Sequence, residues 1–145
     1  GYLQVLPDES PEGGSGPSSP RDASGARLGY PIRVNTPGKY RVYVRGLSMG
    51  GESNGVHVGM DGVLAGKGPG ASNMSGFRPH RTWVWENRRK DGYEQPATLD
   101  LSQGDHLLHV WNRDDGFCFD KIVLRQQEDR PAGTGPEQSP QTSVL

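Results

Sequence analysis

Several things that would narrow the class of this chain are scarce or missing. Among its 145 residues there is one cysteine, Cys118, so no internal disulfide can form. That leaves the compartment open, because a secreted β-rich domain can do without a bridge. Hydrophobic residues make up only 31%, and no apolar run approaches the ~20 residues that span a bilayer. The formal net charge is −1, which gives no long-range attraction for nucleic acid or an anionic membrane surface. No Gly-x-Ser-x-Gly elbow, no His-Glu-x-x-His pair and no phosphate loop occurs, so the usual hydrolase, zinc-protease and nucleotide signatures are missing. No amphipathic helix of useful length and no internal repeat is visible.

What is abundant is turn chemistry: 22 glycines and 12 prolines. With so little apolar mass, these suit many short strands joined by turns. Tyr2-Leu-Gln-Val-Leu6 alternates and ends at Pro7. Residues 8–25 read as a loop of Ser, Pro, Gly and charge. Ala26 to Val34 is a strand broken by Gly29 and Pro31, which places it at an edge. Lys39 to Arg45 alternates most clearly: Tyr40, Val42 and Val44 face one way, Lys39, Arg41, Tyr43 and Arg45 the other. Gly55 to Asp61 puts Val56, Val58 and Met60 on a core face and His57 opposite. After a long loop from Gly66 to His80, Thr82-Trp-Val-Trp-Glu86 carries both tryptophans on one face. Ala97–Leu101 and His106–Trp111 flank a tight turn and predict a hairpin; Phe117–Leu124 closes the domain. The pattern predicts an all-β, antiparallel β-sandwich over residues 1–125. Residues 126–145, almost without apolar mass, predict a linker or disordered tail. The abrupt opening on a strand predicts a piece of a longer protein.

The order of these elements resembles the non-catalytic carbohydrate-binding modules of the galactose-binding-like class, families 6 and 35. The residues that carry the likeness are Pro37-Gly38-Lys-Tyr-Arg-Val-Tyr-Val-Arg45, Val56-His-Val-Gly-Met-Asp-Gly62, Leu101-Ser-Gln-Gly-Asp-His-Leu-Leu-His109 and Gly116-Phe-Cys-Phe-Asp-Lys-Ile-Val-Leu124. The resemblance implies a jelly roll attached to a secreted glycoside hydrolase or polysaccharide lyase, monomeric and without catalysis of its own. It implies a sugar site in the loops at one end or on a sheet face. It also implies a structural Ca2+ between the first and last strands, for which Gln4 and Asp120 are the matching positions. Leu6, where a second strand-one ligand belongs, offers no side-chain oxygen, and Cys118 stands where an asparagine belongs to the sugar clamp.

The residues suggest where sugar would be held. Trp83 and Trp85 either stack a pyranose or pack in the core. Asn112, Arg113, Asp114 and Asp115 either read hydroxyls or serve as turn residues. Tyr43, Arg45 and His57 would form one patch if their strands are neighbours, and arginine there leans toward an acidic or sulfated, marine-type polysaccharide. Asp120 shares its strand face with Cys118, Ile122 and Leu124. Its charge therefore needs calcium or an arginine from elsewhere. A structural or adhesion sandwich that supports a neighbouring domain is the alternative function.

Overall fold

The computed structural model describes residues 1–4, 27–51, 54–64, 73–89 and 95–140. Within them lie ten strands: β1 (Leu3–Gln4), β2 (Arg27–Val34), β3 (Gly38–Leu47), β4 (Gly55–Met60), β5 (Val63–Leu64), β6 (Asn73–Ser75), β7 (Val84–Glu86), β8 (Thr98–Leu101), β9 (Gly104–Asn112) and β10 (Cys118–Arg125). No helix occurs among the described residues. The strands form two antiparallel sheets of five. One runs β1-β10-β3-β7 with β8 also on β3; the other runs β2-β9-β4-β5 with β6 also on β4. The expected all-β sandwich is the fold.

Period-two alternation explains the layers. Val42 and Val44 from β3 meet Val56, Val58 and Met60 from β4 in the core, with Leu108 and Val110 of β9 and Phe119 of β10. Phe77 and Phe117 cross in the core with ring centroids 4.7 Å apart. They lie directly over Gly46, where a Cβ would collide with Phe117 Cζ and stand 2.9 Å from Phe77 Cε1. Pro31 sits on β2, an edge strand among the described residues, where proline is tolerated.

Three expectations change. β5 and β6 are two further strands beside the expected ones, and β6 lies inside the segment expected as a loop. β8 and β9 do not form a hairpin. β8 pairs with β3 in one sheet, while β9 pairs with β2 and β4 in the other. The two-residue link therefore steps across the sandwich, so that Leu99 and Leu101 enter the core from one side and Leu108 and Val110 from the other. Gly104, at φ +133°, takes the left-handed backbone this step requires.

The third concerns the tail. Residues 126–136 run along the outer face of the β1-β10-β3-β7 sheet. Tyr43 Oη donates to the Glu128 carbonyl (2.8 Å), Trp85 Nε1 to the Gly133 carbonyl (3.0 Å), and Lys121 Nζ to the carbonyls of Thr134 (2.8 Å) and Pro136 (2.9 Å). Arg41 pairs with Glu128, and Pro131 is buried. The segment has almost no apolar side chains to signal docking. It docks through main-chain carbonyls, which any sequence supplies. Residues 141–145 lie outside the described residues.

Candidate functional site

Trp83 immediately precedes β7 and is half-buried. Its ring meets Tyr2, with centroids 5.9 Å apart and planes tilted by 60°, and the Arg45 guanidinium carbon lies 5.4 Å from its ring centroid. Tyr2 is 60% exposed. Arg45 projects from the outer face of β3, between Lys121 of β10 and Trp85 of β7. Its Nη1 donates to Asp120 Oδ2 at 2.7 Å. A register shift between Phe119 and Lys121 sits at Asp120; such a bulge re-aims a side chain, and here the carboxylate meets Arg45 instead of entering the apolar layer. Asp120 Oδ1 is buried without a hydrogen-bond partner among the described residues. The result is an aromatic pair, a cation and a carboxylate side by side. That set can stack an apolar ring face and hydrogen-bond groups at its rim.

The other expected residues go elsewhere. Trp85 is 5% exposed and lies beneath Gly135, with its Nε1–H spent on Gly133. Tyr43 is 2% exposed under the C-terminal segment. His57 belongs to the opposite sheet from Tyr43 and Arg45, fully buried across from Trp111. The three therefore form no common patch, because β3 and β4 are not neighbours. Arg113 and Asp114 are buried and paired with each other. They brace the turn against Asn54, whose amide N–H donates to Asp114 Oδ2 (3.2 Å) and whose Oδ1 accepts from Arg113 Nη1 (3.2 Å). They are framework for the β9–β10 crossing, not groups open to a ligand. Asp115 is half-buried in the same turn. The Asn112 side chain lies outside the described residues.

Gln4 lies opposite Cys118 on β10, and its Nε2 donates to the Gly116 carbonyl at 3.4 Å. A calcium ion takes about six to eight oxygens. Among the described residues the two expected positions bring one carboxylate, with a guanidinium 2.7 Å away, and one amide. Arg45 supplies the positive charge that Asp120 needs. Among the described residues no group of three or more His, Cys, Asp or Glu is placed to hold a metal. Leu6 lies outside the described residues.

Two polar contacts escaped the sequence pattern because each joins distant segments. Ser48 Oγ lies 2.8 Å from His80 Nδ1 and donates to the Gly50 carbonyl, also at 2.8 Å. With its one proton committed there, Ser48 can only accept from His80, the reverse of a nucleophile activated by a base. His106 Nδ1 lies 2.6 Å from Asp61 Oδ2, and its Nε2 2.9 Å from the Ser102 carbonyl. Two acceptors on one ring favour the doubly protonated imidazolium. The Asp61 carboxylate first, then the Ser102 carbonyl, raises the His106 pKa, and the His106 contact holds the Asp61 carboxyl below its usual range.

The described residues thus form a helix-free sandwich that carries an aromatic–arginine patch on the outer face of one sheet. The chain belongs to the glycosyl hydrolase family 115 C-terminal domain family, whose model matches residues 10–138. That is an accessory domain of these hydrolases, not the catalytic one. A curated protein of Formosa agariphila, "Uncharacterized protein P23", is 36% identical over 147 residues, covering 93% of this chain and 35% of the relative. The chain thus spans about a third of that relative's length.

Proposed function

We propose that this domain binds polysaccharide without catalysis and holds a parent glycoside hydrolase, secreted with it in the same chain, on an acidic or sulfated polymer. The observation that carries this reading is the Trp83 patch. A half-buried indole braced by an exposed tyrosine and an arginine is a surface on which a pyranose face can stack. Arg45 gives one N–H to Asp120 and keeps further donors for hydroxyl, carboxylate or sulfate oxygens. Arg78 and Arg81, both exposed, lie in the segment that leads into Trp83 and add positive charge there. The family supports the setting, since an accessory domain of a glycoside hydrolase gains from keeping its enzyme near a polymer.

Affinity electrophoresis through gels containing neutral, carboxylated or sulfated polysaccharides tests it. Retardation in at least one gel is expected, with loss in a Trp83→Ala protein that still unfolds in one cooperative transition. If no polymer slows the protein, or Trp83→Ala is slowed equally, the domain is a structural partner of its neighbour instead.

A further inference from the structure

Toward the other end of β3 from Arg45, a cavity of about 360 Å³ opens beside Lys39 and Arg41 on the outer face of the same sheet. Arg41 and Arg45 are four residues apart on an extended strand, about 13 Å, so this is a different place from the Trp83 patch. Lys39 and Arg41 form its floor, with Thr98 of β8 beside them. Arg89 lines it from the link between β7 and β8. Gln126 and Glu128 supply a wall from the folded-back C-terminal segment. The volume lies at the small end of the range for ligand pockets, about 300–1,000 Å³. No aromatic ring lines it among the described residues, which suits recognition by charge and hydrogen bonds.

Among the described residues the charges do not balance. Lys39 is met by Asp100 at 3.0 Å and Arg41 by Glu128. Arg89 has no ion pair among the described residues, and its Nε is buried without a hydrogen-bond partner among them. A partly buried guanidinium lacking an anion is costly, and the cost falls when an oxyanion enters its fork. Glu128 is the one carboxylate of the lining among the described residues, and its side chain is 83% exposed. It can swing toward solvent and give up Arg41.

We infer that this cavity is a second ligand site, which takes the carboxylate or sulfate group of an acidic sugar, with Arg89 as its anchor and Arg41 as the second cation. The inference extends the polysaccharide reading without needing Trp83. An oxyanion site here would persist even if the aromatic patch bound nothing.

The test uses the Trp83→Ala protein, so that the patch is silent, and titrates it at low ionic strength with polygalacturonate, dextran sulfate and neutral dextran. At least one charged polymer should bind, and dextran should not. Arg89→Met should weaken that binding at least about tenfold. Glu128→Gln, which removes a competing carboxylate and leaves the backbone carbonyl to Tyr43, should tighten it about two- to threefold. Arg33→Gln, on the opposite sheet, controls for net charge and should change little. Sodium acetate and sodium sulfate serve as free anions. If they bind Arg89 as well as the polymers do, group for group, the sugar assignment is overturned. Equal binding by Arg89→Met, or no preference for charged polymers over dextran, overturns the site. Should Arg89→Met not fold, the Glu128→Gln result decides: no tightening counts against the site. Failure of these arms while Trp83→Ala still abolishes binding to a neutral polymer would remove the cavity proposal and leave the patch standing.

Discussion

Replacing Arg45 with methionine should be among the most destabilising changes outside the core. The side chains of Arg45 and Asp120 are 17% and 18% exposed, and their contact is 2.7 Å. Breaking a fully buried pair costs about 3–5 kcal/mol; an exposed pair is worth about 0.2–1 kcal/mol. This pair lies nearer the buried limit, because Asp120 Oδ1 is already buried without a partner among the described residues. Loss of Arg45 would leave both oxygens unmet, for a cost of about 2–3 kcal/mol after allowance for residual solvent. Loss of the guanidinium over Trp83 adds about 0.5–1 kcal/mol. Methionine keeps the packing of the stem, so the loss is electrostatic. Urea unfolding measures it: with a slope of about 1–3 kcal/mol/M, the midpoint should fall by roughly 1–2 M at unchanged slope. Asp120→Asn in the Arg45→Met background should recover a good part of the loss, since the stranded charge is then gone. A fall below about 0.5 kcal/mol would refute the reasoning, because Asp120 would then have another counter-charge. A chelator identifies that counter-charge: it should leave the wild-type melting midpoint unchanged, and a drop would mean that calcium neutralises Asp120.

Other consequences are more local. Gly135→Ala should lower the melting midpoint and lift the C-terminal segment, because a Cβ there would collide with Trp85 Cζ2 and stand 3.0 Å from Cη2, at a φ of +74°; new exposure of Trp85 by fluorescence quenching would show it, and an unchanged spectrum would mean the segment does not dock. Gly46→Ala should cost about 1–3 kcal/mol through overpacking against Phe77 and Phe117 in urea unfolding; a neutral result would contradict that packing. His106 makes stability depend on pH. Its folded pKa is raised above the ordinary 6.5, so its contribution is complete below about 6.5 and is lost as pH rises through the folded value. Asp61, lowered from 3.8, contributes above that value and loses its contribution as pH falls through the folded one. The melting difference between wild type and His106→Gln should be largest from about pH 4 to 6.5 and shrink in alkali; a flat difference would show that the imidazolium is not held.

The strands were legible where alternation was strong. Lys39–Arg45 and Gly55–Asp61 show their core faces directly, and Val42, Val44, Val56 and Val58 are fully buried. The partner of each strand was not legible. Leu99 and Leu101 alternate equally well in a hairpin or in a strand that crosses to the other sheet, and only the three-dimensional packing separates the two. The C-terminal segment was hidden for a related reason: its contacts run through the carbonyls of Glu128, Gly133, Thr134 and Pro136, which no side-chain pattern reports. Of the expected site, Trp83 and Arg45 lie together and half-buried, whereas Trp85, Tyr43, His57, Arg113 and Asp114 are buried. Polar and aromatic residues on an outward strand face look alike in sequence whether that face meets solvent or a covering segment. An unspecified arginine was one of two open counter-charges for Asp120, and the bulge at Asp120 brings Arg45 into reach. Tyr2 and the Arg89 cavity gave no signal, since each joins segments far apart in the chain.

The most direct test of the account is binding of the intact domain to a polysaccharide panel by affinity electrophoresis, with Trp83→Ala run beside it. Retardation by at least one polymer, lost in a Trp83→Ala protein that still unfolds cooperatively, is the predicted result. Equal mobility of both proteins in every gel would contradict it.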